Sequence, residues 1–249
     1  MKNIIVCLIL WLMAFNPNLS GQEYVISPLP YNPQPFTGSS LVDQWVAGNN
    51  DDGVSGAVSI GFDFCFYGFP YHEVYISTNG WISFSSGQSL VYSPRPIPSL
   101  FVQVPRNCIM APWQDWWSNY NGNGNVRYQL VGTSPFRKFI VSYVAVPMFA
   151  CVGKLGTFQI VLNECNSSIE IHLLNKPHCK WTGGMAVLGL HDATGTIAHT
   201  VSGRNSTIWA VDSTSPEGWY FAPSLLCEGS TFRCVSNAPV EPNDLVPVR

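Results

Sequence analysis

Apolar and polar residues alternate along much of the chain, and the clearest run follows Ala57. The apolar members of this run share one face of an extended segment; they are Val58, Ile60, Phe62, Phe64 and Phe66. The residues between them take the opposite face; they are Ser59, Gly61, Asp63 and Cys65. Because successive side chains of a strand point to opposite sides, this period of two predicts a half-buried β-strand.

The same period recurs downstream, and matching it along the chain predicts about ten to twelve strands. Residues 74–84 predict a β-hairpin, because the Asn79–Gly80 pair near the centre tolerates the positive φ of a tight turn. Between residues 169 and 174, Glu170 and His172 alternate with apolar residues, so one face is expected in the core and the other in solvent. No segment has an apolar period of 3.6 residues. The pattern therefore predicts an all-β fold, a single antiparallel β-sandwich domain.

The first residues have the pattern of a secretory signal peptide. Lys2 precedes an apolar run from Ile4 to Phe15, and a short polar stretch follows. The run is shorter than the roughly 20 apolar residues that a membrane-spanning helix needs, and no later segment reaches that length without polar interruption. We therefore expect a secreted or cell-surface protein with residues 1–21 as its signal peptide and no membrane span.

The rest of the chain divides by composition. Four prolines between residues 24 and 37 predict an extended course, so residues 22–57 are expected to form a Pro-rich lead-in strap that packs on the domain. Residues 58–226 are expected to form the sandwich. Residues 227–249 combine prolines with polar residues and have no core-forming pattern, which predicts a disulfide loop and a flexible tail or linker.

Composition and charge narrow the function classes. Charged residues make up only 11% of the chain, against 21 glycines and 19 prolines, a balance that favours short strands joined by turns. A net charge of −3 with 12 basic residues lacks the positive surface that nucleic-acid binding requires. We therefore expect no nucleic-acid partner.

Seven cysteines remain after the predicted signal peptide, in a chain addressed to an oxidising compartment. Disulfides are expected, and the odd count leaves one thiol unpaired. Spacing alone does not fix the connectivity, although Cys227 and Cys234 are placed for a local loop closure.

Three motifs give the chain a family likeness. The segments Ile60–Gly68 (IGFDFCFYG), Val74–Phe84 (VYISTNGWISF) and Ile109–Asp115 (IMAPWQD) resemble the core of nidogen-like extracellular domains. Two further segments, Ile26–Tyr31 and Val146–Cys151, are similar to the version found at the N-terminus of secreted surface proteins of Bacteroidetes. The likeness covers roughly residues 24–226. It implies an adhesion-associated extracellular module, fused to or acting beside other extracellular domains, and it transfers no catalytic residue.

The same resemblance implies a disulfide pattern. By this likeness Cys65 pairs with Cys108, and Cys151 pairs with Cys179. Cys165 lies at a position that the family pattern does not require, which makes it the expected free thiol.

Catalysis is not expected, and the chain is predicted not to be an enzyme. A hydrolase with dispersed carboxylates is an alternative whose candidate acids are Asp63, Asp115, Glu164, Glu170 and Asp192. Nothing in the sequence pairs these acids, and no nucleophile elbow or zinc-protease motif occurs. Two of them within about 10 Å in one cleft would favour the enzyme.

Asp115 is the strongest candidate metal ligand. It is followed by an oxygen-rich loop that contains Asn119 and Asn121, and calcium prefers several carboxylate and amide oxygens. Asp51 and Asp52 form a second, weaker candidate. Turns also select Asp and Asn for local hydrogen bonds, so a purely structural role is the alternative. The sequence indicates no cofactor other than this candidate calcium ion.

A cluster of aromatic residues around Asp115 is the candidate ligand site. Its members are Trp113, Trp116, Trp117 and Tyr120. Exposed aromatic rings can stack on a sugar, whereas core packing is the alternative interpretation. We therefore expect a non-catalytic adhesion or interaction module that contacts an extracellular protein or glycan surface. A carbohydrate-binding module is the first alternative and a secreted hydrolase the second.

Overall fold

The computed structural model describes residues 23–224 and Cys227, together with the strand backbones of 232–234 and 245–247. The predicted signal peptide and most of the predicted tail lie outside the described residues. In chain order the strands are β1 Tyr24–Leu29, β2 Ser39–Ser40, β3 Trp45–Gly48, β4 Gly53–Ser55, β5 Val58–Phe66, β6 Phe69–Ile76, β7 Trp81–Ser83, β8 Cys108–Trp113, β9 Asn125–Val131, β10 Lys138–Met148, β11 Cys151–Asn163, β12 Ile169–Asn175, β13 Met185–His191, β14 Ala198–Ile208, β15 Glu217–Pro223, β16 Phe232–Cys234 and β17 Leu245–Pro247. A short 3₁₀ segment, Trp181–Gly184, precedes β13.

Two antiparallel sheets form the body of the protein. The first has seven strands in the order β1-β15-β12-β11-β10-β9-β2, and the second has six in the order β14-β13-β8-β7-β6-β5. Side chains from both sheets enclose one apolar core, with Phe64 and Leu188 from the second sheet meeting Phe158 and Ile171 from the first. The predicted all-β antiparallel sandwich is confirmed.

The alternation that predicted β5 matches the burial of its side chains. The five apolar residues of this strand are all buried. Of the residues expected on the opposite face, Ser59, Gly61 and Asp63 are exposed, whereas Cys65, which is bonded to Cys227, is buried. The predicted hairpin is also confirmed, because Ile76 of β6 pairs with Ile82 of β7 across a turn at residues 77–80.

Both sheets are covered on their outer faces as well. Residues 85–107 lie over the six-stranded sheet, where Ile97 and Val104 pack with Met110 and Trp113. Strand β8 is therefore buried on both sides along its whole length. This second layer explains why the sequence of β8 is continuously apolar and does not alternate between apolar and polar residues.

The lead-in covers the outer face of the other sheet. Strand β1 is an edge strand paired with β15, and the chain then crosses β11 and β12. The amide of Gln34 donates to Oε1 of Gln159 at 2.9 Å, and the amide of Asn32 donates to Nδ1 of His172 at 3.5 Å. As a result His172 and Glu170 are 1% and 3% exposed. The prediction that their face lies in solvent is wrong, because a segment distant in sequence covers it.

The disulfides confirm one predicted pair and correct another. Cys151 is bonded to Cys179, with Cα atoms 6.2 Å apart. Cys65 is bonded to Cys227, with Cα atoms 5.6 Å apart, so the predicted pairing of Cys65 with Cys108 is wrong. The strand order gives the reason, since β6 and β7 lie between β5 and β8. Three strand spacings of about 4.8 Å amount to roughly 14 Å, about twice the Cα separation that a disulfide can bridge.

Two further cysteine predictions are corrected. Because Cys227 is bonded to Cys65, the predicted closure with Cys234 is wrong; the side chain of Cys234 lies outside the described residues. Cys165, the predicted free thiol, is disulfide-bonded. The free thiol among the described cysteines is Cys108. It lies in the apolar layer beneath residues 85–107, and burial raises the pKa of its thiol.

Lys176 is a fully buried cation near the start of the 3₁₀ segment. Its Nζ donates to the carbonyl oxygen of Trp209 at 2.7 Å and lies 4.6 Å from the centre of the Trp209 ring. The guanidinium of Arg204 lies over the same ring and pairs with Glu217. Burial, reinforced by the charge of Arg204, lowers the pKa of Lys176 from 10.5 to about 7.

This lowered pKa predicts a pH-dependent stability. Above about pH 7 the folded state releases the Lys176 proton while the unfolded state retains it, so the free energy of unfolding rises with pH. A difference of one bound proton between the two states changes the free energy of unfolding by ~1.4 kcal/mol per pH unit, or about 2 kcal/mol between pH 7 and 8.5. Lys176→Met is expected to lack this increment in urea unfolding at the two pH values, whereas exposed Lys180→Met should retain it. Equal pH slopes in wild type and Lys176→Met would contradict the prediction.

Candidate functional site

One end of the sandwich is closed by the segment that leaves β8. Trp116 forms a β-bridge with Met148 of β10, and the amide of Trp117 donates to the carbonyl of Pro147 at 2.8 Å. The amide of Phe149 donates to the carbonyl of Asp115 at 3.2 Å. Residues 114–118 therefore run from one sheet to the other and lie against the β10–β11 turn.

The hairpin turn between β6 and β7 attaches a second loop to this segment. Nδ2 of Asn79 donates to Oδ1 of Asp52 at 2.8 Å, while Oδ1 of Asn79 accepts from the amide of Trp116 at 3.0 Å. Gly80 follows with φ +77°, and a Cβ there would lie 2.1 Å from the carbonyl oxygen of Pro112. Only a glycine lets the turn approach this closely. The turn thus places the β3–β4 loop beside residues 114–118.

Three carboxylates meet as a consequence. Asp51 and Asp52 of the β3–β4 loop and Asp115 after β8 each offer an oxygen, and these atoms lie within 4.8 Å of one another. We call these three residues the acidic cluster. The structure therefore unites two candidates that the sequence presented as separate. In residues 23–224, no Lys, Arg or His forms an ion pair with any of the three.

Burial and mutual repulsion shift the acidic cluster toward protonation. Asp115 is 5% exposed, and desolvation together with the charges of Asp52 and Asp51 raises its pKa to about 7, despite a hydrogen bond from Trp181. Desolvation and the charge of Asp52 raise the pKa of Asp51 to about 6. The pKa of Asp52 is raised by burial and partly lowered by its bond from Asn79. Ionisation of the cluster near neutral pH is therefore energetically unfavourable in the folded protein.

Five aromatic rings lie in sequence along the same end of the sandwich. We call them the aromatic row; in spatial order they are Tyr120, Trp117, Phe149, Trp181 and Tyr92. Successive ring centroids are 4.5, 5.4, 5.2 and 6.5 Å apart. Trp181 is 41% exposed and Tyr92 40%, and the other three rings are half-buried. The row offers a partly exposed strip of aromatic surface.

A disulfide and a hydrogen bond fix the central rings. The Cys151–Cys179 bridge joins the β10–β11 turn to the segment before the 3₁₀ segment, which brings Phe149 to Trp181. Nε1 of Trp181 donates to Oδ2 of Asp115 at 2.5 Å. This hydrogen bond connects the aromatic row directly to the acidic cluster.

A small indentation lies between these features; its lining includes Gln114, Asp115, Met148, Phe149, Trp181 and Met185. It has room for about one water molecule, far less than the pockets that enclose a small molecule. The indentation is too small to surround a sugar ring or a peptide side chain completely. A ligand of that size would lie across the aromatic row.

The predicted aromatic site is only partly reproduced. Trp117 and Tyr120 belong to the aromatic row, but Trp113 and Trp116 are completely buried. Nε1 of Trp113 donates to the carbonyl of Val91, and Nε1 of Trp116 to that of Pro112. The prediction that these two rings contact a ligand is wrong, because residues 85–107 cover one and the inter-sheet core encloses the other.

Three members of the row were not predicted from the sequence; they are Tyr92, Phe149 and Trp181. One signal was present, since the correctly predicted Cys151–Cys179 pair lies two residues from Phe149 on one side and two from Trp181 on the other.

The predicted calcium ligands Asn119 and Asn121 lie in the turn before β9. Both have positive φ, 56° and 49°, and the amide of Asn119 donates to the carbonyl of Gly124 at 3.0 Å. The structure thus gives these residues a turn-forming role. The carboxylates that it brings to Asp115 are those of Asp51 and Asp52.

The other candidate acids of the hydrolase alternative are each held by their own partners. These pairs are Asp63–His72, Glu164–Arg137, Glu170–His172, and Asp192 with the backbone amides of residues 194, 196 and 197. Asp63 is largely exposed, whereas Glu170 is buried beneath the lead-in. Each of these contacts is explained by local structure, and the enzyme alternative gains no support from them.

The fold and the site together define a class: a disulfide-bonded β-sandwich module with a partly exposed strip of aromatic surface at one end. A protein-family model described as NIDO related matches residues 24–219. The chain therefore belongs to this nidogen-related family, whose members are generally non-catalytic modules of extracellular type. No curated protein and no solved structure matches the chain. Within the described part of the chain, no helix has the length and apolarity needed to span a membrane.

Proposed function

We propose that this chain is a secreted, non-catalytic interaction module that binds an extracellular partner through the aromatic row. The observation that carries the proposal is the exposure of large rings at the loop end of a rigid sandwich. Trp181 and Tyr92 keep about two-fifths of their surface in solvent, although they pack against neighbouring rings. Tryptophan and tyrosine are the residue types most enriched at the centres of protein interfaces.

The proposal includes the organisation expected from the sequence. Residues 1–21 direct secretion, residues 22–57 form the lead-in, residues 58–226 form the sandwich, and residues 227–249 connect to other extracellular domains. The bridge from Cys65 to Cys227 supports an oxidising destination. The same bridge attaches the chain just beyond the last sandwich strand to β5.

Carbohydrate binding is the second candidate function. Sugars present flat apolar faces that stack on aromatic rings, and their hydroxyl groups need nearby polar atoms. Trp117 and Trp181 offer such rings, with polar side chains at Lys180 and Thr182 next to Trp181. Because the indentation is too small to enclose a sugar, an extended glycan that lies along the row fits the site better than a single buried sugar unit does.

The test is a binding screen with defined probes. The full secreted chain is applied to an immobilised glycan panel and to a panel of extracellular matrix proteins, and the dissociation constant is measured for each hit. Trp117→Ala and Trp181→Ala are each expected to weaken binding by at least about tenfold, since loss of an aromatic anchor typically costs 2 kcal/mol or more. A hit on glycans selects the second candidate function.

Phe69→Ala is the matched control. Phe69 is 56% exposed but lies at the start of β6, the end of that strand opposite to the turn that contacts the acidic cluster. This variant is expected to bind like the wild type. If a ligand binds both tryptophan variants as tightly as Phe69→Ala, the row is not the contact surface and the proposal is wrong.

A further inference from the structure

The oxygen atoms of the acidic cluster have the spacing of ligands around one ion. The three atoms lie within 4.8 Å of one another. Calcium binds oxygen at 2.3–2.6 Å, so two ligands on opposite sides of one ion are roughly 4.6–5.2 Å apart. All three carboxylates can therefore reach a common cation.

A second, independent observation comes from buried atoms without hydrogen-bond partners. Oδ1 of Asp115 and Oδ1 of Asp51 are buried and unpartnered, and so are both amide atoms of the neighbouring Gln114. Asp115 and Gln114 are 5% and 2% exposed. Buried polar atoms nearly always have a partner, and leaving a carboxylate oxygen without one is especially costly.

The unpartnered carboxylate oxygens of Asp51 and Asp115 are explained by a bound positive charge. We propose that Asp51, Asp52 and Asp115 form a calcium-binding site that joins the β3–β4 loop to the segment after β8. The ion occupies the place of the missing basic partner.

The chemistry of the donors favours calcium over transition metals. All three cluster ligands are carboxylates, and the cluster contains no histidine or cysteine, which zinc and copper prefer. Two ligands lie on one loop and one on another segment, an irregular arrangement that calcium accepts more readily than magnesium, which demands near-octahedral geometry.

Calcium binding has a structural consequence at the surface. Oδ2 of Asp115 already accepts from Nε1 of Trp181, so an ion on Oδ1 would fix this carboxylate from both sides. The site would therefore hold the β3–β4 loop, the segment after β8 and the central ring of the aromatic row in one arrangement.

The test measures calcium directly and needs no knowledge of the partner. The full chain, stripped with a chelator and kept at a pH above the pKa values of Asp51 and Asp115, is titrated with calcium chloride in a calorimeter. We expect one saturable site per chain and a Tm that rises with calcium concentration, because a ligand of the folded state stabilises it by mass action. Magnesium chloride is expected to bind more weakly.

Three variants complete the experiment. Asp51→Asn and Asp115→Asn should each weaken calcium binding by at least about tenfold, since affinity follows the number of charged ligands. Without calcium both variants should melt no lower than the wild type, because each removes repulsion within the cluster; this separates loss of the site from misfolding. Asp63→Asn, which changes an exposed acid outside the cluster, should bind calcium normally.

The proposal is overturned if the wild type shows no saturable site, if Asp115→Asn retains full affinity, or if magnesium binds as tightly as calcium. None of these readouts depends on the aromatic row, so the proposed function is tested separately.

Discussion

Replacing Cys227 with Ser is expected to lower the free energy of unfolding by about 2–5 kcal/mol. The Cys65–Cys227 bridge spans 162 residues of sequence, and closing so long a loop removes much of the entropy of the unfolded chain. The bridge between Cys151 and Cys179 lies within this loop and shortens the segment that remains free, which keeps the expected loss within that range. Chemical denaturation of oxidised wild type and variant measures the difference.

Cys108→Ala is the control for this prediction. Cys108 is a buried free thiol in the layer beneath residues 85–107, so its replacement removes one sulfur atom from the packing and is expected to cost only about 1 kcal/mol. The losses of stability in the two variants also distinguish the Cys65–Cys227 bond from the Cys65–Cys108 bond that the sequence predicted. If Cys65 were bonded to Cys108, the Cys108 variant would show the large loss and the Cys227 variant the small one. Peptide mapping without reduction should recover Cys65 and Cys227 in one linked fragment.

Local pattern was sufficient to predict the strands that have one face in the core. In β5 the alternation of apolar residues with Ser59, Gly61 and Asp63 specifies both the strand and its buried face. The Asn79–Gly80 turn likewise specifies the hairpin of β6 and β7. Both predictions depend only on neighbouring residues, which is why they could be made from the sequence.

Predictions that depend on a distant segment were less successful. The alternation in β12 predicted an exposed face, but Asn32 and Gln34 arrive from the other end of the chain and cover it. The cysteine pairing required the order of the strands in the sheet, and a likeness between sequences did not supply that order. Cys65 and Cys108 lie on strands three positions apart, a fact that spacing along the chain cannot give.

In the candidate site, too, the sequence predicted the individual residues but not the contacts between distant segments. Asp115 and the Asp51–Asp52 pair were each recognised as candidate ligands from composition. Their union depends on Asn79, whose side chain accepts from one segment and donates to the other. A side chain that connects two distant segments leaves no periodic signal in the sequence, so the two candidates could not be joined before the fold was known.

Trp116→Ala is expected to lower the free energy of unfolding by about 3–5 kcal/mol, the usual cost of truncating a large core aromatic. The Trp116 ring is completely buried, with its centroid 5.3 Å from that of Phe158. It also occupies the space above Gly156, where a Cβ would lie 2.3 Å from the ring, so truncation leaves a cavity beside a residue that has no side chain to fill it.

The next residue provides the comparison. Trp117 is half-buried in the aromatic row, and Trp117→Ala is expected to cost only about 1 kcal/mol while weakening ligand binding. Trp116→Ala should do the reverse, since its folded fraction keeps the row and should bind normally. Urea unfolding and binding measured on both variants separate the two roles. A loss of binding in folded Trp116→Ala equal to that in Trp117→Ala would contradict the assignment of Trp116 to the core alone. Because the two residues are adjacent, the opposite outcomes would arise solely from the direction in which each ring points.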